Sequence, residues 1–249
     1  MSKAEDPYFP EVPVDAYKYS KGVVGVVAGS VQFPGAAVLC VGGARRGGAG
    51  YVKYLAQHDF PTHLVLQNYP DVVPITDLVG HEVDAWVLGS GSPDLTHFPS
   101  GGILVLDGSA MTLANSAHEG ITIVTPHEGE AAKLGYPVTD RKATALKMAS
   151  ELNVLVVLKG PGTVIATPNG LVEVEKTGGR ELATAGTGDI LAGLMASMMA
   201  AWKPTTFEEA AKVAMRAVKA HGTAGKIAAT KSFPVVATDV LAALPKVFL

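Results

Sequence analysis

The sequence holds one cysteine, Cys40, so no internal disulfide can form and the chain suits a reducing cytoplasm. Aromatic residues make up only 6% of it, and Ala, Gly and Val dominate instead, as close packing of helices on a sheet favours. No Lys/Arg run appears. The 20 basic residues face 23 acidic ones, a formal net charge of −3, which removes the electrostatic case for nucleic acid or an anionic membrane as partner. The longest uncharged apolar run, Ile190 to Trp202, is well short of the ~20 residues a membrane span needs. The opening "MSKAEDPYFPEVPVDAYKYS" has early acids and prolines and lacks an apolar h-region, so no signal peptide is expected and the expected location is cytoplasmic. The glycine pattern of a dinucleotide fold is missing, as is the Gly-Lys-Ser/Thr of a Walker loop.

What is present is a recurring alternation of short apolar runs and helical segments. "GVVGVVAG" (22–29), "THLVLQ" (62–67), "VDAWVLG" (83–89), "GILVLDG" (102–108) and "ITIVTP" (121–126) read as strands, continuous enough to be covered on both faces of a parallel sheet. "PGAAVLCVGGARRGGAG" (34–50) reads as a helix entered through Pro34, and "DRKATALKMASEL" (140–152) as an amphipathic one. "NVLVVLKG" (153–160) is a further strand. "TVIAT" (163–167) and "LVEVE" (171–175) flank the turn "PNG" and predict an antiparallel hairpin. Helices over about 188–202, 206–229 and 237–248 close the chain. At 249 residues, with no repeat, low-complexity tract or dividing linker, the expectation is one three-layer α/β/α domain over 1–249, its mainly parallel sheet carrying an antiparallel hairpin. Ligands of such sheets bind off the carboxyl ends of the strands, where each of the following motifs falls.

In "TAGTGD" (184–189), Gly186 and Gly188 let successive N–H groups, Thr187 included, face one concavity at the start of an apolar helix, a seat for phosphate. Asp189 is then either a helix cap or a group that does chemistry, and spacing alone leaves both open. In "LKGPGTVIAT" (158–167), Lys159 ends a strand beside a glycine-rich turn and can reach a phosphate, though a plain hairpin turn would look the same. "TPHEGE" (125–130) gathers His127, Glu128 and Glu130 at a short helix. This spacing is no transition-metal site, but Glu130 could hold Mg²⁺ through water, while Glu128 reads as a first-turn acid favoured by the helix dipole. "VAGSVQFPGAAVL" (27–39) brings the backbone of Gly35–Ala37 to a strand end. "LGSGSP" (88–93) and "VLDGS" (105–109) are similar turns.

In this order, and over nearly the whole chain, these stretches resemble the ADP- or ATP-dependent (S)-NAD(P)H-hydrate dehydratases of the ribokinase-like superfamily. The resemblance is carried by "KYSKGVVGVVAGS" (18–30), "FPGAAVL" (33–39), "RRGGAGYV" (45–52), "VDAWVLGSG" (83–91), "VLDGSAM" (105–111), "TPHEGE", "VVLKGPGTVIATPNG" (156–170), "ATAGTGDILAG" (183–193) and "HGTAG" (221–225). It implies a lyase that repairs hydrated nicotinamide dinucleotides, NADHX and NADPHX, by phosphorylating the ring hydroxyl from ADP or ATP with Mg²⁺ and then eliminating phosphate. Carried over by position, Asp189 lies at the hydroxyl being activated, and Gly188 and the segment Lys159, Gly160, Pro161, Gly162, Thr163 hold the nucleotide. Ala36 or Ala37, Gly91 and His127 face the hydrated dinucleotide. The resemblance also implies a homo-oligomer, with a tetramer as one form. An epimerase domain is often fused N-terminally in this family; with about 20 residues before the first strand, none is expected here. Ala185 stands where many relatives have glycine, and the looser "VLDGSAM" leaves Asp107 without an assigned role. The helix N-terminus is expected to depress the pKa of Asp189, making it chiefly an orienting group that accepts a proton late.

Two other readings stay in view. A ribokinase-like small-molecule kinase of the thiazole or pyrimidine vitamin-precursor type would share the glycine loop, its Asp and the Glu, but typically has Asn where this chain has His127. A non-catalytic nucleotide-binding sensor would have no need of Asp189. An oxidoreductase is disfavoured by the missing dinucleotide turn.

Overall fold

Parallel strands joined by helices build the first two thirds of the chain, and an antiparallel run then extends the sheet before three helices close the structure. The computed structural model describes residues 7–55, 58–92, 95, 97, 99, 101–116 and 118–249. Met1–Asp6 of the N-terminal stretch and Pro93 of "LGSGSP" lie outside the described residues. In order, the elements are β1 (Val23–Val27), α1 (Pro34–Ala44), β2 (Tyr51–Leu55), α2 (Asp59–Asn68), β3 (Val73–Pro74), β4 (Ala85–Leu88) and β5 (Ile103–Leu106). After a 3-10 turn over Gly108–Leu113 come β6 (Thr122–Val124), α3 (Glu128–Lys133), α4 (Arg141–Leu152), β7 (Leu155–Leu158), β8 (Thr163–Ala166) and β9 (Val172–Glu175). The last three helices are α5 (Thr187–Trp202), α6 (Phe207–Ala229) and α7 (Ala237–Val247).

Among the described residues, nine strands join one sheet in the order β3-β2-β1-β4-β5-β6-β7-β8-β9. It is parallel from β3 to β7, and β8 and β9 pair antiparallel. The expected hairpin around "PNG" is there, and "LKGPGT" proves to be a hairpin turn as well. Alternate residues of each central strand serve opposite cores. Val24, Val26, Ala85, Val87, Ile103, Val105, Leu155 and Val157 pack with α1, α5, α6 and α7. Val27, Trp86, Leu88, Leu104, Leu106, Val156 and Leu158 pack on the other face with Met111, Ala131, Ala145 and Met148. A sheet covered on both faces explains why its strands read as unbroken apolar runs.

One expected strand is a helix. "THLVLQ" lies inside α2, whose buried residues, Pro61 and Val65, are four apart, the spacing of one helical face. The strand of this region lies earlier, at β2, where Val52 and Tyr54 alternate inward with period two. Correspondingly, the helix expected over 34–50 stops at Ala44, before a glycine-rich stretch. The two-residue β3 has too short a pattern to be read.

Candidate active site

The carboxyl ends of β4 to β7 and the first turn of α5 meet at one place. Helix α5 begins at Gly186, whose φ of +92° is a left-handed conformation that a side chain would oppose. No side chain caps the helix, and Asp189 sits third in the helix, not at the N-cap, so the capping reading of Asp189 is set aside. The first-turn amides are therefore without helical partners. Thr187 Oγ1 donates to the carbonyls of Leu182 and Thr184, at 2.9 and 3.0 Å, which pins the loop ahead of the helix.

Asp189 is largely buried. Burial, and after it the negative charge of Asp107, outweigh Lys159 and the Ser90 hydroxyl and push its carboxyl up to about 7. The depression expected from the helix N-terminus is thus overturned: desolvation decides the sign. A pKa near working pH suits a general base. Cys40 lies buried beneath, its thiol pushed up by burial and by Asp189 and Asp107, so it stays protonated and inert.

A cleft of ≈ 780 Å³ opens beside this turn. Lys159, Gly160, Pro161 and Thr163 line one wall, Thr187 and Gly188 another, and His127 a third. Gly162 and Gly186 shape its turns without lining it. Gly178, Gly179, Arg180 and Leu182 also line the cleft and were missed by sequence reasoning, while Ala183, Thr184, Ala185 and His221 of α6 lie in quoted motifs without having been assigned to the site. Burial holds the His221 imidazole neutral, pushed down to about 4, while the Thr187 backbone supports its ring. Sequence reasoning also missed Arg141, whose guanidinium donates to the carbonyls of Leu158 and Gly162, at 3.0 and 3.3 Å, and pairs with Glu128, bracing the Lys159 turn. His221 opens the motif "HGTAG" but had no role assigned, and Arg141 reads as one charge on an amphipathic helix.

His127 and Lys159 are joined by pairing between their strand ends, with Lys159 N–H donating to the Pro126 carbonyl at 2.7 Å. His127 caps α3. Its Nδ1 accepts from Glu130 N–H at 3.2 Å, and Glu130 Oε2 accepts from His127 N–H at 2.8 Å. The His127 ring remains more than half exposed, free at Nε2 for a ligand apart from Glu130 at 3.6 Å. Lys159 Nζ lies 2.9 Å from Asp107 Oδ1 and 3.7 Å from Glu130 Oε2. Burial alone would push the ammonium down, but Asp107 and Glu130 hold it above the ordinary lysine range.

On the far side of Asp189, Ser90 leads into Gly91, and a Cβ on Gly91 would lie 2.5 Å from Ala36 Cβ. Ala36 is partly exposed beside the exposed Phe33, whereas Ala37 is fully buried. Asp189 stands close to the Lys159 ammonium and the Ser90 hydroxyl, beside the cleft and not among the residues that line it. Among the described residues no three His, Cys, Asp or Glu side chains cluster as a metal site. Glu130 Oε2 accepts from the His127 N–H and lies 3.7 Å from the Lys159 ammonium. A single carboxylate of this kind fits a Mg²⁺ ion carried mainly by phosphates, which keeps most of its water shell.

The fold is ribokinase-like: the crystal structure of a ribokinase-like superfamily protein of Enterococcus faecalis superposes with a TM-score of 0.84 at 25% identity, covering 96% of this chain and 91% of that one. The sequence profile of the NAD(P)H-hydrate dehydratase family matches residues 24–246, and the chain belongs to that family. A bifunctional NAD(P)H-hydrate repair enzyme of Mycobacterium leprae is 34% identical over 245 residues, 91% of this chain and 50% of the relative. The chain therefore spans about half the length of that relative. An ADP-dependent (S)-NAD(P)H-hydrate dehydratase of Neisseria meningitidis is 32% identical over 79% of this chain and 75% of its own length. The crystal structure of the ADP/ATP-dependent dehydratase of Bacillus subtilis, co-crystallised with ATP/Mg²⁺, superposes with a TM-score of 0.85 at 28% identity, covering 96% of this chain and 93% of that one. A hydroxyethylthiazole kinase of Pyrococcus horikoshii, at 16% identity and a TM-score of 0.56, shares the fold alone.

Proposed function

We propose that this chain, as a single domain, dehydrates (S)-NADHX and NADPHX to NADH and NADPH at the expense of ADP or ATP. The observation that carries the chemistry is Asp189, a largely buried carboxylate poised near neutrality in the first turn of α5, beside the Lys159 cleft. In this reading the nucleotide lies along Lys159, Gly160, Pro161, Gly162 and Thr163, with its terminal phosphates on the amides of Gly186, Thr187 and Gly188. The hydrated ring enters past Ala36, the Ala37 backbone, Gly91 and His127. Asp189 takes the proton of the ring hydroxyl as that oxygen bonds the terminal phosphorus, and the P–O bond to the nucleotide breaks. Phosphate then leaves with the C–O electron pair, a proton is lost from the neighbouring ring carbon, and the double bond of the reduced ring is restored. Phosphoryl transfer asks mainly for positioning and charge neutralisation, which the amides and Lys159 supply. Glu130 would hold a Mg²⁺ ion through water, and the ion would supply further neutralisation of phosphate charge.

The test is recovery of the near-ultraviolet absorbance of NADH when NADHX, Mg²⁺ and ADP or ATP are mixed with the protein. Phosphorylation of a thiazole or pyrimidine alcohol with NADHX left untouched would instead establish the kinase reading. Lys159→Gln keeps a hydrogen bond to Asp107 but removes the charge, so the KM for ADP is expected to rise about tenfold or more. An unchanged KM would take Lys159 out of the nucleotide site.

A further inference from the structure

Four neighbouring strands each run out onto a polar residue: Ser90 beyond β4, Asp107 beyond β5, Thr125 beyond β6 and Lys159 beyond β7. Asp107 is the hub. It is 4% exposed and accepts from Ser90 Oγ at 2.8 Å, Thr125 Oγ1 at 2.7 Å and Lys159 Nζ at 2.9 Å. Burying a carboxylate is costly, and three donors are needed to hold it. Nothing in the reaction described above uses Asp107.

The Lys159 ammonium has three carboxylates around it. Glu130 Oε2 is at 3.7 Å. A Cβ on Gly188 would lie 3.4 Å from Nζ, which sets the ammonium against the first turn of α5, next to Asp189. Only Asp107 holds it at hydrogen-bond distance, and among the described residues no ion pair joins Lys159 to Asp189.

We infer that Asp107 is a positioning residue: it keeps the Lys159 ammonium off Asp189 and so leaves the Asp189 carboxylate unpaired and basic. A lysine free to settle on Asp189 would make the base one half of a salt bridge, and an opposite charge at ~4–6 Å lowers a carboxylate pKa by about 1–3 units. The groups facing Asp189 divide by charge, and Asp107 acts on it by its own charge as well as through Lys159. Asp107 and Glu130 raise its pKa, Lys159 and the Ser90 hydroxyl lower it, and the buried Cys40 thiol stays neutral. The inference rests on reading Asp189 as the base, and its test is read without turnover.

The experiment is a carboxyl-carbon NMR titration of Asp189 in the full-length protein, paired with the pH profile of kcat. In Asp107→Asn the Asp189 midpoint is expected to fall from about 7 by about one unit or more, with kcat down about tenfold and the KM for ADP changed less than about threefold. Asp107→Ser, which leaves room for a water at the lost carboxylate, carries the same expectation should Asp107→Asn fold poorly. In Asp107→Asn/Lys159→Met both charges are gone, and the midpoint should return toward 7. A midpoint that stays put or rises in both single variants overturns the inference. A wild type that titrates as expected yet leaves NADHX unchanged would defeat the proposed function alone. An active wild type whose Asp189 ignores Asp107 would defeat this inference alone.

Discussion

Asp189→Asn is expected to lower kcat for NADHX dehydration about a thousandfold, while ADP binds within about threefold of wild type by calorimetry. The separation follows from position. Gly186, not Asp189, is the N-cap, and the phosphate seat is made of backbone amides that the substitution leaves in place. Loss of ADP affinity in step with kcat would make the Asp a nucleotide ligand, and full activity would remove it from the chemistry. The pH profile supplies an independent check. A base held at about 7 must lose its proton to act, so kcat/KM should rise with pH through that value and level off above it. The same shift bears on stability. A carboxyl whose folded pKa is raised stabilises the fold at low pH, and that contribution is lost as pH rises through about 7. Asp189→Asn should therefore melt at a higher temperature than wild type at pH above about 7, the expected trade between stability and a working site.

The sequence made the sheet legible because strands covered on both faces are unbroken apolar runs, and β1, β4, β5, β6 and β7 each fell inside one. It failed at the edge. β2 has one wetter face and β3 only two residues, so the run "THLVLQ" took the place of both. Of the site, Asp189, Lys159 and His127 were readable because each ends or begins an element beside glycine or proline. Asp107 was not. Its three partners come from residues 17, 18 and 52 positions away, and only the strand order brings them together. The pKa of Asp189 was misjudged for a related reason: the helix dipole is local and visible in sequence, while desolvation depends on what the fold stacks above it.

The largest expected effect on stability lies behind the site, where α1 and α5 touch backbone to backbone. A Cβ on Gly193 would lie 1.9 Å from the Cys40 carbonyl oxygen and 3.0 Å from the Ala44 nitrogen, and one on Gly43 would lie 2.2 Å from the Ile190 carbonyl oxygen. These obstacles are main chain in the middle of two helices, so no rotamer change relieves them. Gly193→Ala must push the helices apart, and its destabilisation is expected to be about 3 kcal/mol, the upper part of the overpacking range, measured by denaturant unfolding. The helix-propensity gain of alanine over glycine, about 1 kcal/mol, is too small to offset it. Gly35→Ala is the control. It lies in the same helix α1 with nothing within 4 Å of its added Cβ, and should be neutral or stabilising by up to about 1 kcal/mol. Because the first turn of α1 carries Ala36 and the first turn of α5 carries Asp189, separating the helices also widens the gap between those two residues. Gly193→Ala should then lose kcat/KM for the dinucleotide even at temperatures where it is fully folded, with ADP affinity, set on the Lys159 side, less affected. A Gly193→Ala protein with wild-type stability would mean that the two helices can slide apart freely, and that their contact does not hold the site.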